Sequence, residues 1–215
     1  MVQSEPPFVP LHRNAKIHYR FIGDVHGKMR EYNRLCGEFH RSHLWAFTLC
    51  VGDMGHGLPG VDNVLLGSND MFIRGNHDNP DVCRETWGYL GDYGINEHGV
   101  FFVSGADSID KNRRTPGVDW WPDEQLSWEE LSGACNAYSL EVPEIVVSHD
   151  CPQSLISEMG KNYAPTQTRL ALDAMLSINR PRLWVFGHHH MSFDKTIDGC
   201  RFVCLNELET LDVSL

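Results

Sequence analysis

The feature that most constrains this chain is a pattern met five times: a short apolar run, suited to a buried strand, stops abruptly and side chains able to bind a metal follow at once. The runs cover residues 16–22, 45–51, 70–74, 144–148 and 183–186. After them come Gly23-Asp24-Val25-His26-Gly27, Gly52-Asp53, Gly75-Asn76-His77-Asp78, His149-Asp150 and Gly187-His188-His189-His190. The glycines allow sharp turns that aim the following side chains at one point. In open α/β sheets the carboxyl ends of strands are where ligands bind. Any one instance is bland, because glycine-aspartate after a strand is usually a turn and a lone histidine is usually hydrogen-bonded or on the surface. The set is not bland, since five separate strands end in ligand-type residues.

Between the runs the pattern alternates with helices. Residues 29–39 place Met29, Tyr32, Leu35, Cys36 and Phe39 on one stripe. Residues 127–138 read as a helix with Ser127 as N-cap, and 165–178 as a helix with proline in its first turn. One or two strands lie within 95–103, turning at Gly99, and 193–197 and 201–205 form a hairpin through Asp198-Gly199. Residues 104–123 make an unusually long connection, which implies a functional loop or disorder. The class is α/β. Residues 1–14, with three prolines, read as a loose arm and 15–215 as one domain.

A net charge of −11 argues against long nucleic acid as a partner. It does not exclude a phosphorylated small molecule or nucleotide, because bound divalent cations would supply the attraction. No apolar run reaches the roughly 20 residues of a membrane helix, and the N-terminal segment has no signal-peptide pattern. The seven cysteines are scattered without a C-x-x-C, which fits reduced thiols in a cytoplasm. Cys200 and Cys204 fall on one face of a strand.

With these five blocks, in this order, the sequence resembles the calcineurin-like metallophosphoesterase superfamily. The resemblance implies two facing mixed β-sheets flanked by helices. It implies two divalent ions: Asp24, His26 and His190 would hold the first, Asn76, His149 and His188 the second, with Asp53 bridging them. It also implies that His77 acts at the reaction centre without binding metal, oriented by Asp78, and that His189 is not a ligand; on a strand-like backbone the His189 side chain would point away from those of His188 and His190. A donor set of nitrogen and oxygen only suits manganese foremost, then iron, zinc, nickel or cobalt. Two such ions lower the pKa of water from 15.7 towards about 7 and grip phosphoryl oxygens, which suits attack of a bridging hydroxide on a phosphate ester. A histidinium at His77, favoured by Asp78, would then protonate the leaving oxygen.

The arginine that follows the second block in the protein phosphatase branch is absent, since the chain reads Gly52-Asp53-Met54-Gly55-His56. The fourth block is nearer the phosphodiesterase-like members. The expected activity is therefore hydrolysis of a phosphodiester or phosphomonoester. A protein Ser/Thr phosphatase and a non-catalytic binding scaffold are the alternatives. Candidate substrate contacts are Arg113 and Arg114, which suit phosphate, Trp120, which suits stacking, and His56 in place of the missing arginine. Arg74 is expected either to bind phosphate or to pair with a carboxylate at the rim.

Overall fold

The computed structural model describes residues 16–61 and 66–215. The expected arm, 1–14, lies outside them. Ten strands form two sheets. The smaller has the order β10-β1-β2-β3, built from β1 (His18–Ile22), β2 (Ala46–Cys50), β3 (Asp70–Phe72) and β10 (Thr210–Ser214). The larger has the order β4-β5-β6-β7-β9-β8, built from β4 (Tyr93–Ile95), β5 (Val100–Val103), β6 (Ile145–Ser148), β7 (Leu183–Phe186), β8 (Phe193–Ile197) and β9 (Cys200–Cys204). Both are mixed: β1, β2 and β3 run parallel with β10 antiparallel to β1, while β5, β6, β7 and β9 run parallel between antiparallel edges.

Strand alternation decides which side chains lie between the sheets. Tyr19, Phe21, Leu49 and Val51 of the smaller sheet face Phe102, Val147, Val185 and Val203 of the larger across a buried interface. The opposite face of the larger sheet, with Phe101, Val146, Trp184 and Phe202, is covered by α3 (Trp128–Glu141), α4 (Leu155–Glu158) and α5 (Gln167–Ile178). The outer face of the smaller sheet carries α1 (Met29–Ser42), through Tyr32, Cys36 and Phe39, and α2 (Pro80–Glu85), through Cys83. The result is a helix–sheet–sheet–helix sandwich, the α/β class expected.

The elements form for local reasons. Ser127 caps α3 in a complete capping box with Glu130. The helix expected from 165 begins at Gln167, because the Thr166 hydroxyl accepts from Arg169 N at 3.2 Å and makes Thr166 the N-cap, leaving Pro165 ahead of the helix. Asp198 and Gly199 take positive φ of 47° and 85°, the geometry a two-residue hairpin requires. All seven cysteines are free, and Cys200 and Cys204 face the same core. No helix among the described residues is long and apolar enough to cross a membrane.

Every parallel strand of both sheets points its C-terminal end to the same edge of the sandwich. The five blocks of ligand-type residues therefore converge there, although they are spread over most of the chain.

Candidate metal centre

Backbone hydrogen bonds lock the blocks to one another. Val25 N and His26 N both donate to Asp53 O, at 3.0 and 2.7 Å, and His77 N donates to Asp53 Oδ1 at 2.9 Å. Gly187 N donates to His149 O at 3.1 Å. His188 N donates to the Asp24 carboxylate at 3.1 and 3.2 Å. Each block is thus held by another block, and no loop positions its ligand-type residues alone.

Gly27 and Gly52 take positive φ of 71° and 117°, the turns the sequence suggests, and the glycines also meet a second need. A Cβ at Gly75 would sit 2.0 Å from Asp53 Oδ1, one at Gly187 2.2 Å from Asp24 Oδ1, and one at Gly52 2.2 Å from His149 Nδ1. The space a side chain would take is filled by a donor from another block. The strained positions are instead His26, Asp53, His188 and His190, four non-glycine residues with φ of 47°, 53°, 66° and 47°. Such conformations cost free energy and persist where surrounding structure enforces them, commonly at functional sites.

The donors fall into two adjoining groups. Asp24, His26, Asp53 and His190 each offer one atom within 4.8 Å of the others. His190 Nε2 lies 3.2 Å from Asp24 Oδ2 and 2.9 Å from His26 Nε2, across 164 residues of chain in each case to within two. Asn76 Oδ1 lies 3.1 Å from His149 Nε2 and 2.8 Å from His188 Nδ1. Asp53 touches both groups: Oδ1 is 3.4 Å from His149 Nε2, and Oδ2 is 3.8 Å from His26 Nε2. Val51 O can only accept, so His149 Nδ1–H donates to it at 2.9 Å and leaves Nε2 for a cation or a proton.

The electrostatics fit bound cations. Asp24 and Asp53 are buried, and neither has a lysine or arginine partner among the described residues. Buried carboxylates without a fixed cation are costly. Asp53 Oδ2 is buried and has no hydrogen-bond partner among the described residues. Burial pushes the Asp53 carboxyl up, but His149, followed by His77 and His26, outweighs it and holds the group well below the usual carboxylate range. Burial opposes protonation of His149, and Asp53 overrides it, raising the imidazole to about 10. In a protein without metal, the proton on His149 does the work of a cation.

A cavity of about 290 Å³ opens over these groups. It is lined by Asp53, Asn76, His188 and His190, by Ser108, Ile109, Asp110 and Arg114, and by Tyr163, Arg169 and His189. His77 also lines it, its ring 5.0 Å from that of His26 and perpendicular to it.

The expected role of Asp78 requires correction. Its carboxylate accepts from Met54 N, Gly55 N, His56 N and Gly75 N, at 2.7–3.2 Å, so it ties the second block to the third. The group beside His77 is Arg114, whose Nη1 and Nη2 lie 2.7 and 3.0 Å from the two ring nitrogens. Burial lowers the His77 pKa, Asp53 opposes this, and Arg114 lowers it further. His77 therefore has a cation as its neighbour where a carboxylate was expected.

Of the candidate substrate contacts, Arg114 alone lines the cavity. Arg113 is exposed and Trp120 half-buried, and neither is part of the wall. His56 is buried, with its ring 4.7 Å from that of Phe72, because Asp78 draws its backbone inward. Arg74 pairs with Asp92 at 3.0 Å and donates to Glu124 O at 2.7 Å, the rim alternative. The His189 ring meets Asp150 and Cys151 instead, at 3.1 and 3.4 Å. Left-handed kinks at His188 and His190, rather than strand alternation, separate it from its neighbours.

Sequence reasoning missed Tyr163 and Arg169. Arg169 donates through Nε to both oxygens of Asp150, at 3.0 and 2.8 Å, and lies over the Tyr163 ring. A signal existed: Arg169, Leu172 and Leu176 share one face of α5, so an arginine stood on the buried stripe.

A family model described as calcineurin-like phosphoesterase matches residues 17–192. Among curated proteins no sequence matches. Among solved structures the chain is similar to a candidate 5'-nucleotidase from Staphylococcus aureus, at 15% identity and a TM-score of 0.57, over 94% of this chain and 51% of that one. The chain therefore spans about half the length of that relative. It is also similar to the phosphopantetheinyl hydrolase of Mycobacterium tuberculosis, at 14% identity, 90% of both chains and a TM-score of 0.51. GAP50, the anchor in the inner membrane complex of Plasmodium, is similar over 90% of this chain and 72% of that one, at 9% identity and a TM-score of 0.55. At these identities the structural likenesses concern the fold alone.

Proposed function

Because the chain belongs to the calcineurin-like phosphoesterase family, we propose that it is a two-metal phosphoesterase that hydrolyses a phosphodiester or phosphomonoester on a small molecule or nucleotide. The observation that carries this reading is Asp53. One of its oxygens lies towards each group of donors, and the one nearer His26 is buried with no hydrogen-bond partner among the described residues. Asp24, His26 and His190 would hold one ion, Asn76, His149 and His188 the other, and Asp53 both; manganese is the foremost candidate. When bound, such a pair activates water as a nucleophile and offsets charge on phosphoryl oxygens.

The protein's own residues supply the rest. Arg114, held by Asp110 at 2.7 Å, presents its guanidinium beside His77 and would orient a substrate phosphate by charge-assisted hydrogen bonds. A ring nitrogen of His77 would give its proton to the leaving oxygen. Burial and Arg114 make that imidazolium a stronger acid than an ordinary one. The cavity, near the small end of ligand sites, suits an ester headgroup better than a polymer.

The test is turnover by Mn²⁺-loaded protein on a matched aryl monoester, aryl diester, cyclic nucleotide and phosphopeptide. Hydrolysis confined to the first three supports the reading, and preference for the phosphopeptide favours a protein phosphatase. GAP50 carries this fold and is described as an anchor, so fold alone does not establish catalysis. Two bound equivalents of metal with no turnover on any substrate would overturn the proposal in favour of a binding scaffold.

A further inference from the structure

Asn76 differs in kind from the other members of its group. Its side-chain amide has an oxygen, which can bind a cation, and a nearly isosteric NH2, which repels one. Something must decide which end faces His149 and His188. The Asn76 Nδ2 donates to Ser108 Oγ at 2.9 Å, and Ser108 Oγ donates to Glu124 Oε2 at 2.6 Å. Ser108 N donates to Glu124 Oε1 at 2.8 Å. Asn76, Ser108 and Glu124 are each 2% exposed, so water does not compete for these bonds.

Donor and acceptor capacities allow one arrangement of these three side chains. Burial raises the Glu124 carboxyl and its bonds from Ser108 oppose this; with a Ser108 donor on each of its oxygens, the carboxylate accepts and cannot donate. Glu124 therefore commits the single hydroxyl proton of Ser108 to itself. The Ser108 oxygen can meet Asn76 only as an acceptor, so it takes the NH2 end. Oδ1 is left facing the two histidines. We infer that Glu124, acting through Ser108, is the positioning residue that sets the amide orientation of Asn76 and so makes it a cation ligand. The inference rests on the two-metal reading. It also gives the long 104–123 connection a function, because Ser108 belongs to it.

Glu124→Gln is the discriminating change, since it keeps the shape and inverts the logic. The Ser108 N–H fixes the new amide with its oxygen at the Oε1 position and its NH2 towards Ser108 Oγ. The hydroxyl proton is then free to turn to Asn76, whose amide flips and presents NH2 to the cation site. Outer hydrogen-bond partners of metal ligands typically matter by about 10–100-fold in affinity. The expected result, by calorimetric titration with Mn²⁺ alone, is a 10–100-fold weaker second equivalent in Glu124→Gln, with the first equivalent unchanged.

Asn76→Asp supplies the control, because a carboxylate offers an oxygen at either end and needs no orienting. In that background Glu124→Gln should cost less than about 3-fold, the mark of a double-mutant interaction. Equal losses in the two backgrounds would mean that Glu124 only supports the fold. Unchanged Mn²⁺ affinity in Glu124→Gln would also overturn the inference. A wild-type protein that takes up fewer than two equivalents would instead overturn the two-metal reading beneath it.

Discussion

Two clusters of ligand-type side chains lie side by side at the carboxyl edge of the sandwich, and they are opposites. Asp24, His26, Asp53 and His190 form one; Asp150, Cys151 and His189 form the other, each with donor atoms within 4.8 Å of one another. In the first, the carboxylates have no lysine or arginine among the described residues, and the unpartnered buried atom is an acceptor, Asp53 Oδ2. In the second, Arg169 occupies both oxygens of Asp150, and the unpartnered buried atom is a donor, Arg169 Nη2. Burial pushes Asp150 up, but His188, His189 and Arg169 hold it well below the carboxylate range, while burial pushes the Cys151 thiol far up. A thiol so disfavoured as thiolate is a poor ligand. Residue types alone do not make a metal site. An internal cation beside the carboxylate is what separates the second cluster from the candidate site.

The comparison can be broken most decisively at Asp53. Asp53→Asn should remove both metals and lower turnover by ~10³-fold or more, read by metal analysis beside kinetics. The folded state should survive, since a buried charge has been removed. The mirror change is Arg169→Met, which leaves Asp150 buried without its partner. It should cost about 3–5 kcal/mol in urea unfolding and leave the metal content at two equivalents. Loss of metal with unchanged stability would show that the second cluster belongs to the first.

Smaller effects sharpen the boundary between them. His188→Ala should lose one equivalent of metal and about 10²-fold in rate, whereas His189→Ala, one residue on, should keep both equivalents. Equal losses would erase the distinction drawn along this tripeptide. Smallest per site, a chelator should destabilise the wild type by about 2.7 kcal/mol for each metal site filled at a starting free concentration of 100 Kd. Asp53→Asn should show no such response in the same thermal melts.

Much of this was legible before the structure. The strand ends displayed their ligand-type residues because those residues sit at fixed positions after apolar runs. The expected strands 183–186 and 193–197 coincide with β7 and β8 residue for residue. What stayed hidden depended on packing between distant segments. Asp78 follows His77 in sequence, and adjacency suggested a pair; its carboxylate instead turns to the 54–56 backbone. Ser108 and Glu124 belong to no motif, and their value comes from meeting Asn76. β10 was missed despite the alternation of Leu211 and Val213, because an edge strand carries a weak apolar signal. α2 was missed although Asn79-Pro80 is a strong start, its six residues being too few for a periodicity.

The pairing of β10 with β1 has a consequence in time. β1 forms its register with residues 210–214 on one side and with β2 on the other. His190 must cross most of that span to reach Asp24. Contacts of such sequence separation close late, because loop entropy is lost before they reward the chain. During synthesis β1 stays an open edge, able to pair with a wrong strand, until nearly all of these residues have emerged. Refolding from denaturant should therefore show Mn²⁺ uptake only in the slowest phase, after helix signals have recovered. The metal centre would then report completion of the fold and take no part in starting it.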